Sequence, residues 1–250
     1  MPPADDPGAS EGTARSGANV IGVLGEILIT AGVLVFLYLA WLLWFNDGIV
    51  GGQQVTAAQS QSRGWAKADQ GGNETGSPDP AIPTVGKAPA NAVQFANIIV
   101  PRFGADYQRP ISEGVGTADS LRVGVGHYPG SQMPGGIGNV ALAGHRTTWG
   151  APFGQIADLR VGDSIYIETK DGWYRYVFRS LEFVRPTGVS VLDPVPDTPG
   201  VTARDRVLTM TSCNPKFSAA ERIIAFSVFD TWYPRADGPP PEIASAVEAH

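Results

Sequence analysis

Residues 27–45, ILITAGVLVFLYLAWLLWF, form a run of 19 without a charge. As a helix they would be about 28 Å long, close to the hydrocarbon thickness of a bilayer. Such a run cannot sit in a water-soluble core unless other elements cover it on every side. It therefore divides the chain into a short leading tail, a membrane span over 20–45 and a large remainder. Trp41, Trp44 and Phe45 cluster at its exit, as interfacial aromatics do. A cleaved signal peptide is disfavoured, because the run exceeds an ordinary h-region and no small-x-small site follows it. Arg15 is the one basic residue before the span, and the next, Arg63 and Lys67, lie far beyond it. The positive-inside rule then puts the N-terminus in the cytoplasm and residues 46–250 outside.

The flanking segments read as unfolded. Residues 1–19 lack apolar periodicity and are expected to be a disordered tail. Residues 46–92 are rich in Gly, Gln, Ser, Ala and Pro. They cannot bury enough surface to offset ordering entropy, so a flexible extracytoplasmic linker is expected there. The terminal stretch 234–250, containing ADGPPPEIASAVEAH, is expected to be loose as well.

Residues 93–233 remain as one globular domain of a size that supports a single core. Short apolar runs recur at Ala96–Pro101, Leu121–Val125, Asn139–Ala143, Ser164–Thr169, Trp173–Phe183, Val207–Thr211 and Ile223–Phe229. Lys170-Asp171-Gly172 between two of them is a hairpin signal. Pro152–Leu159 can make one short helix. The pattern predicts an all-β domain, an antiparallel sandwich or small barrel. A net charge of −6 without a Lys/Arg stripe excludes a nucleic-acid partner.

Cys213 is the only cysteine, so no intramolecular disulfide exists. It ends the run VLTMTSC, and His145 follows the run NVALA in AGHRTTWG. Each is an apolar strand that delivers a reactive side chain to a loop mouth. The other histidines are less suited: His250 ends the loose tail, and His127 lies in VGHYPGS, read as a turn rather than a strand end. An isolated thiol is mostly protonated near neutrality and needs a base or an ion-pair partner. A histidine supplies that, and later an acid for a leaving amine. Attack on an amide also builds oxyanion charge, which calls for a fixed donor. Arg222 begins the strand after Cys213. Antiparallel pairing through the loop 214–221 would bring the two side by side, and a guanidinium fork suits the task better than a lysine. Zinc is excluded by the want of closely spaced ligand pairs. Papain and caspase patterns do not match, and no G-x-S-x-G elbow is present.

The segments GHYPGSQMPGGIGNVALAGHRTTWGAPF and LTMTSCNPKFSAAER resemble the sortases, specifically the class E sortases of high-GC Gram-positive bacteria. The likeness runs from about Val93 to Phe229, and the span-plus-tether layout matches too. The family's T-L-x-T-C motif falls on Thr209-Met210-Thr211-Ser212-Cys213, with Met210 for Leu and Ser212 for Thr. The resemblance implies an eight-stranded sortase β-barrel and a membrane-anchored cysteine transpeptidase. In that reading Cys213 attacks the Thr–Gly bond of an LAxTG-like or LPxTG-like sorting signal on a surface protein. A lipid II or peptidoglycan stem-peptide amine then resolves the acyl-enzyme. His145 would be the acid/base, Arg222 would hold substrate and oxyanion, and Thr211, Ser212 and Tyr128 would contact substrate. No cofactor is implied, and no acidic loop justifies a metal. Two other readings stay open: a catalytically silent tethered β-module that binds wall peptides, and a sortase-like hydrolase.

Overall fold

Alternating apolar positions on short runs leave one face of each strand to be buried, and here the strands solve this by closing on themselves. The computed structural model describes residues 20–41, 46–70 and 82–248. Eight strands are present: β1 (Gln94–Ile99), β2 (Gln108–Glu113), β3 (Val125–His127), β4 (Gly138–Ala143), β5 (Ser164–Thr169), β6 (Gly172–Val184), β7 (Arg206–Asn214) and β8 (Glu221–Pro234). They close in the order β1-β2-β3-β4-β7-β8-β6-β5. The β2–β3 and β4–β7 pairs are parallel and the others antiparallel. The interior is filled by Ile98, Ile111, Val140, Leu142, Ile165, Ile167, Tyr176, Leu208, Met210 and Ile223, all buried. The Lys170–Gly172 hairpin joins β5 to β6 as expected.

Three local readings change. The strand expected over Leu121–Val125 is instead a helical turn, α3 (Ser120–Val123), because the Asp119 carboxylate caps it by accepting from the Ser120 amide at 2.5 Å. β3 begins only at Val125, and His127 is its last residue rather than part of a turn. β2 has no counterpart among the expected strands because Pro110 interrupts its pattern. The proline is tolerated because β3 meets β2 only from Ile111 onward.

The larger corrections are at the ends. Residues 46–92 are not wholly a loose linker, since Asn46–Gln70 form a helix, α2, packed on the barrel. Its sequence has no wide apolar stripe, so amphipathicity does not reveal it. What holds it is a buried polar cluster. The Ser62 hydroxyl donates to Glu168, which also accepts from Asn97 Nδ2 at 3.1 Å and Gln108 Nε2 at 3.2 Å. Asn97 Nδ2 reaches the Ala58 carbonyl at 3.1 Å as well. Of the 234–250 stretch, the described residues up to 248 also fold back, through α4 (Ala244–Glu248). Ile243 and Ala246 cover Ile99, Tyr166 and Trp173 on the outside of the sheet. Arg235 Nη2 donates to Glu168 Oε1 at 2.9 Å, stacked over Trp173. One carboxylate thus ties α2, the barrel and the C-terminal segment together.

The N-terminal helix, α1 (Val20–Ala40), is a separate unit with mean hydropathy 2.5 and no buried residue, long and apolar enough to cross a membrane. The tail 1–19 with Arg15, the end of the expected span at 42–45, the linker residues 71–81 and His250 lie outside the described residues.

Glu168 and Arg235 are both buried, so removing one partner strands a charge. Glu168→Gln should lower unfolding stability by about 3–5 kcal/mol. Asp230→Asn, at the exposed Arg175–Asp230 pair, should cost about 1 kcal/mol or less. Denaturant unfolding of the detergent-solubilised chain, followed by tryptophan fluorescence, measures both.

Candidate active site

Three neighbouring strands bring the sequence-selected residues onto one line. β4 and β7 run parallel with Ala143 opposite Thr211. The pairing continues one step further, as the Gly144 amide donates to the Thr211 carbonyl at 3.1 Å. His145 and Cys213 each lie two residues beyond that matched pair. On the other side of β7, β8 is antiparallel and sets Arg222 directly opposite Cys213. Cα atoms in such a pair are about 4.5–5.5 Å apart. The order His145, Cys213, Arg222 therefore crosses three adjacent strands at the rim of the barrel.

Alternation along β7 decides what faces the site. Leu208 and Met210 point into the barrel core, so Thr209, Thr211 and Cys213 point outward. Cys213 is half-buried with a free thiol. Thr211 shares its face, and its hydroxyl lies 3.2 Å from the Tyr128 hydroxyl, so these two candidates are brought together. Ser212 is not with them. It is buried on the opposite face, and its hydroxyl donates to the Gly144 carbonyl at 2.7 Å. The serine fastens the strand that carries the thiol to the loop that carries His145.

His145 is half-buried, and its Nε2 is a buried atom with no hydrogen-bond partner. Burial pushes its pKa below the ordinary imidazole range, and the nearby charge of Asp47, in the first turn of α2, opposes that fall. His127 is of another kind. It is fully buried, with Nδ1 2.7 Å from Glu113 Oε2 and Nε2 2.9 Å from both the Gln132 carbonyl and the Ser131 hydroxyl. Its capacity is saturated by the scaffold. Arg222 Nη1 donates at 3.0 Å to the Ala219 and Glu221 carbonyls. These bonds hold the guanidinium against the β7–β8 loop.

Sequence reasoning missed Arg146. It is 8% exposed, and its Nη1 donates to the Cys213 carbonyl at 3.2 Å and Asn214 Oδ1 at 3.1 Å, with Nε at 3.4 Å from the Gly154 carbonyl. Desolvation lowers its pKa, with Asp158 and Cys213 opposing. The one available signal was an arginine at a strand end next to the chosen histidine, where a solvated side chain is the ordinary expectation.

A family model described as Sortase domain matches residues 98–229, which takes in all three residues. The chain belongs to the sortase family. Sortase SrtE1 of Streptomyces coelicolor is 35% identical over 240 residues, covering 92% of this sortase and 64% of that relative. The sortase thus spans less than two thirds of that protein's length. The SrtA sortase from Actinomyces oris superposes with a TM-score of 0.61 at 33% identity, covering 64% of this chain and 92% of that one. Sortase E1 from Streptomyces coelicolor, solved with a tripeptide in its active site, gives 0.57 at 37% identity over 63% and 99%. Within the family, these similarities include class E members.

His145→Ala should reduce kcat/KM on a sorting-signal peptide by several orders of magnitude at unchanged melting temperature. His127→Ala should do the reverse, lowering the melting temperature with a far smaller loss of kcat/KM per folded molecule. Equal losses per folded molecule would overturn the division of roles.

Proposed function

We propose that this sortase is a membrane-anchored cysteine transpeptidase that cleaves an LAxTG-like or LPxTG-like sorting signal between Thr and Gly. The observation that carries the reading is the single rim line of His145, just past the end of β4, with Cys213 on β7 and Arg222 on β8. In this reading Cys213 has passed its proton to His145, and the resulting thiolate Sγ attacks the threonyl carbonyl so that a C–S bond forms. Arg222 donates to the oxyanion as charge develops there. As the C–N bond breaks, the imidazolium of His145 gives its proton to the departing glycine amine. Burial around His145 suits that step, because an imidazolium disfavoured by desolvation surrenders its proton more readily. Neutral His145 then takes a proton from the incoming amine, which attacks the thioester and breaks the C–S bond, restoring the thiolate beside the imidazolium.

The acceptor is proposed to be an amine of lipid II or of a peptidoglycan stem peptide, and the clients to be surface proteins that carry the signal. Tyr128 and Thr211, paired on the outward face beside Cys213, are suited to meet the signal's side chains. Ser212, spent on Gly144, is not assigned that role. A single apolar helix and the scarcity of Lys/Arg between it and Arg63 support an extracytoplasmic catalytic domain.

Cys213→Ala should abolish cleavage of an LAxTG peptide while leaving circular dichroism unchanged, and retained turnover by the pure variant would sink the assignment. Products with and without an added amine separate transfer from hydrolysis, and labelling by a peptide vinyl sulfone separates an enzyme from a binding module.

Arg222→Ala should cost about 10²–10³ in kcat. Arg222→Lys keeps the charge without the fork and should recover only part of that loss. In both variants the thiol should still alkylate. Full activity of Arg222→Lys would show that charge alone suffices.

A further inference from the structure

The segment between the membrane span and the barrel was expected to be a tether, yet its first turns reach the catalytic rim. α2 lies against the loop that His145 opens. Gln54 Nε2 donates to the Trp149 carbonyl at 2.8 Å, and the Gly150 amide donates to Asp47 Oδ1 at 3.3 Å. The approach is too close for side chains. Gly150 has φ +76°, and a Cβ there would stand 2.9 Å from the Gly51 nitrogen. The loop closes on itself through the Phe153 amide and the His145 carbonyl at 3.0 Å, so restraint at Gly150 is passed to His145. A cleft of about 610 Å³ opens between this loop, α2 and the β7–β8 loop. Asp47 is the one carboxylate in its lining, against the cations of Arg109, Arg146 and Lys216.

We propose that Asp47 is a positioning residue for His145, holding its loop through the Gly150 amide and supplying the fixed negative charge that favours the imidazolium used on the leaving amine. The inference rests on the transpeptidase reading for its consequence in rate but not for its consequence in charge. The charge that acts on His145 is that of Asp47 from α2; Arg146 follows His145 in the chain, Cys213 of β7 and Arg222 of β8 stand on the neighbouring strands, and Arg109 of β2 and Lys216 line the cleft with Asp47. Of these only Asp47 is a carboxylate. Its charge opposes the desolvation that disfavours the protonated ring. An acidic residue in a first helical turn also stabilises the helix itself, and the test must separate that role from the proposed one.

Asp47→Asn does so, because it keeps an oxygen for the Gly150 amide and removes only the charge. The 250-residue chain in detergent, labelled at histidine, offers three imidazoles to NMR. The titration midpoint of His145 should move to lower pH in Asp47→Asn. Asp47→Glu should restore most of the shift. With an LAxTG peptide and an amine acceptor, the His145 limb of the kcat/KM profile should move the same way. A one-unit move is a tenfold smaller imidazolium fraction above the midpoint. An unmoved His145 midpoint in a folded Asp47→Asn protein overturns the proposal. An inactive wild type with a shifted midpoint overturns the transpeptidase reading and leaves the Asp47 pairing standing.

Discussion

The parallel pairing of β4 with β7 is the constraint on which the rest depends. Parallel strands require a crossover, and here residues 144–205 make it through β5 and β6 before the chain returns to the neighbouring position. Two strand ends then leave the sheet in the same direction at the same height. A histidine and a cysteine placed at equivalent distances past a matched pair are side by side without any loop having to fold inward. The antiparallel partner β8 adds an arginine from the opposite direction. No one of the three residues is held by its own loop alone.

The site also shows how a scaffold spends polar groups to protect geometry. Ser212 and Arg146 have side chains with chemistry to offer, and both are turned to the backbone. Ser212 binds the Gly144 carbonyl, and Arg146 spans the Cys213 and Gly154 carbonyls. Together they stitch the thiol strand to the histidine loop from two sides. A charged hydrogen bond to a carbonyl is worth about 1.5–3 kcal/mol, enough to hold in place the backbone that carries the thiol. His127 is kept from chemistry by the same economy of partners.

The barrel strands were legible because their physics is local. Alternation and the Lys170–Gly172 turn mark β5 and β6 to within a residue, and the reactive strand ends are marked by a lone cysteine and a histidine after apolar runs. What escaped reading depends on groups distant in sequence. α2 has little apolar periodicity, since its hold on the barrel is the polar cluster at Glu168, whose members Ser62, Asn97, Gln108 and Arg235 come from five separate parts of the chain when Glu168 is counted. β2 hid behind Pro110, tolerated only because β3 is short. The C-terminal segment looked too polar to fold, but Ile243 and Ala246 needed only a strip of sheet already exposed by the closure of the barrel. Composition reports how much surface a segment could bury by itself, and it is silent on surface that others have prepared for it.

That distinction bears on how the membrane-proximal part should be regarded. A tether limits only distance, whereas a packed helix transmits orientation. α2 is held at one end by Ser62 within the Glu168 cluster and at the other by Gln54 and Asp47 on the His145 loop. Ser62 and Asp47 are 15 residues apart, about 22 Å of helix at 1.5 Å per residue. The same helix therefore touches both the buried Glu168 cluster and the loop that follows His145. Any substitution that loosens the Glu168 cluster acts on the stability of the fold and, through α2, on the loop that orients the histidine. In the proposed reading, stability and catalysis are coupled by one helix whose sequence alone reads as a spacer.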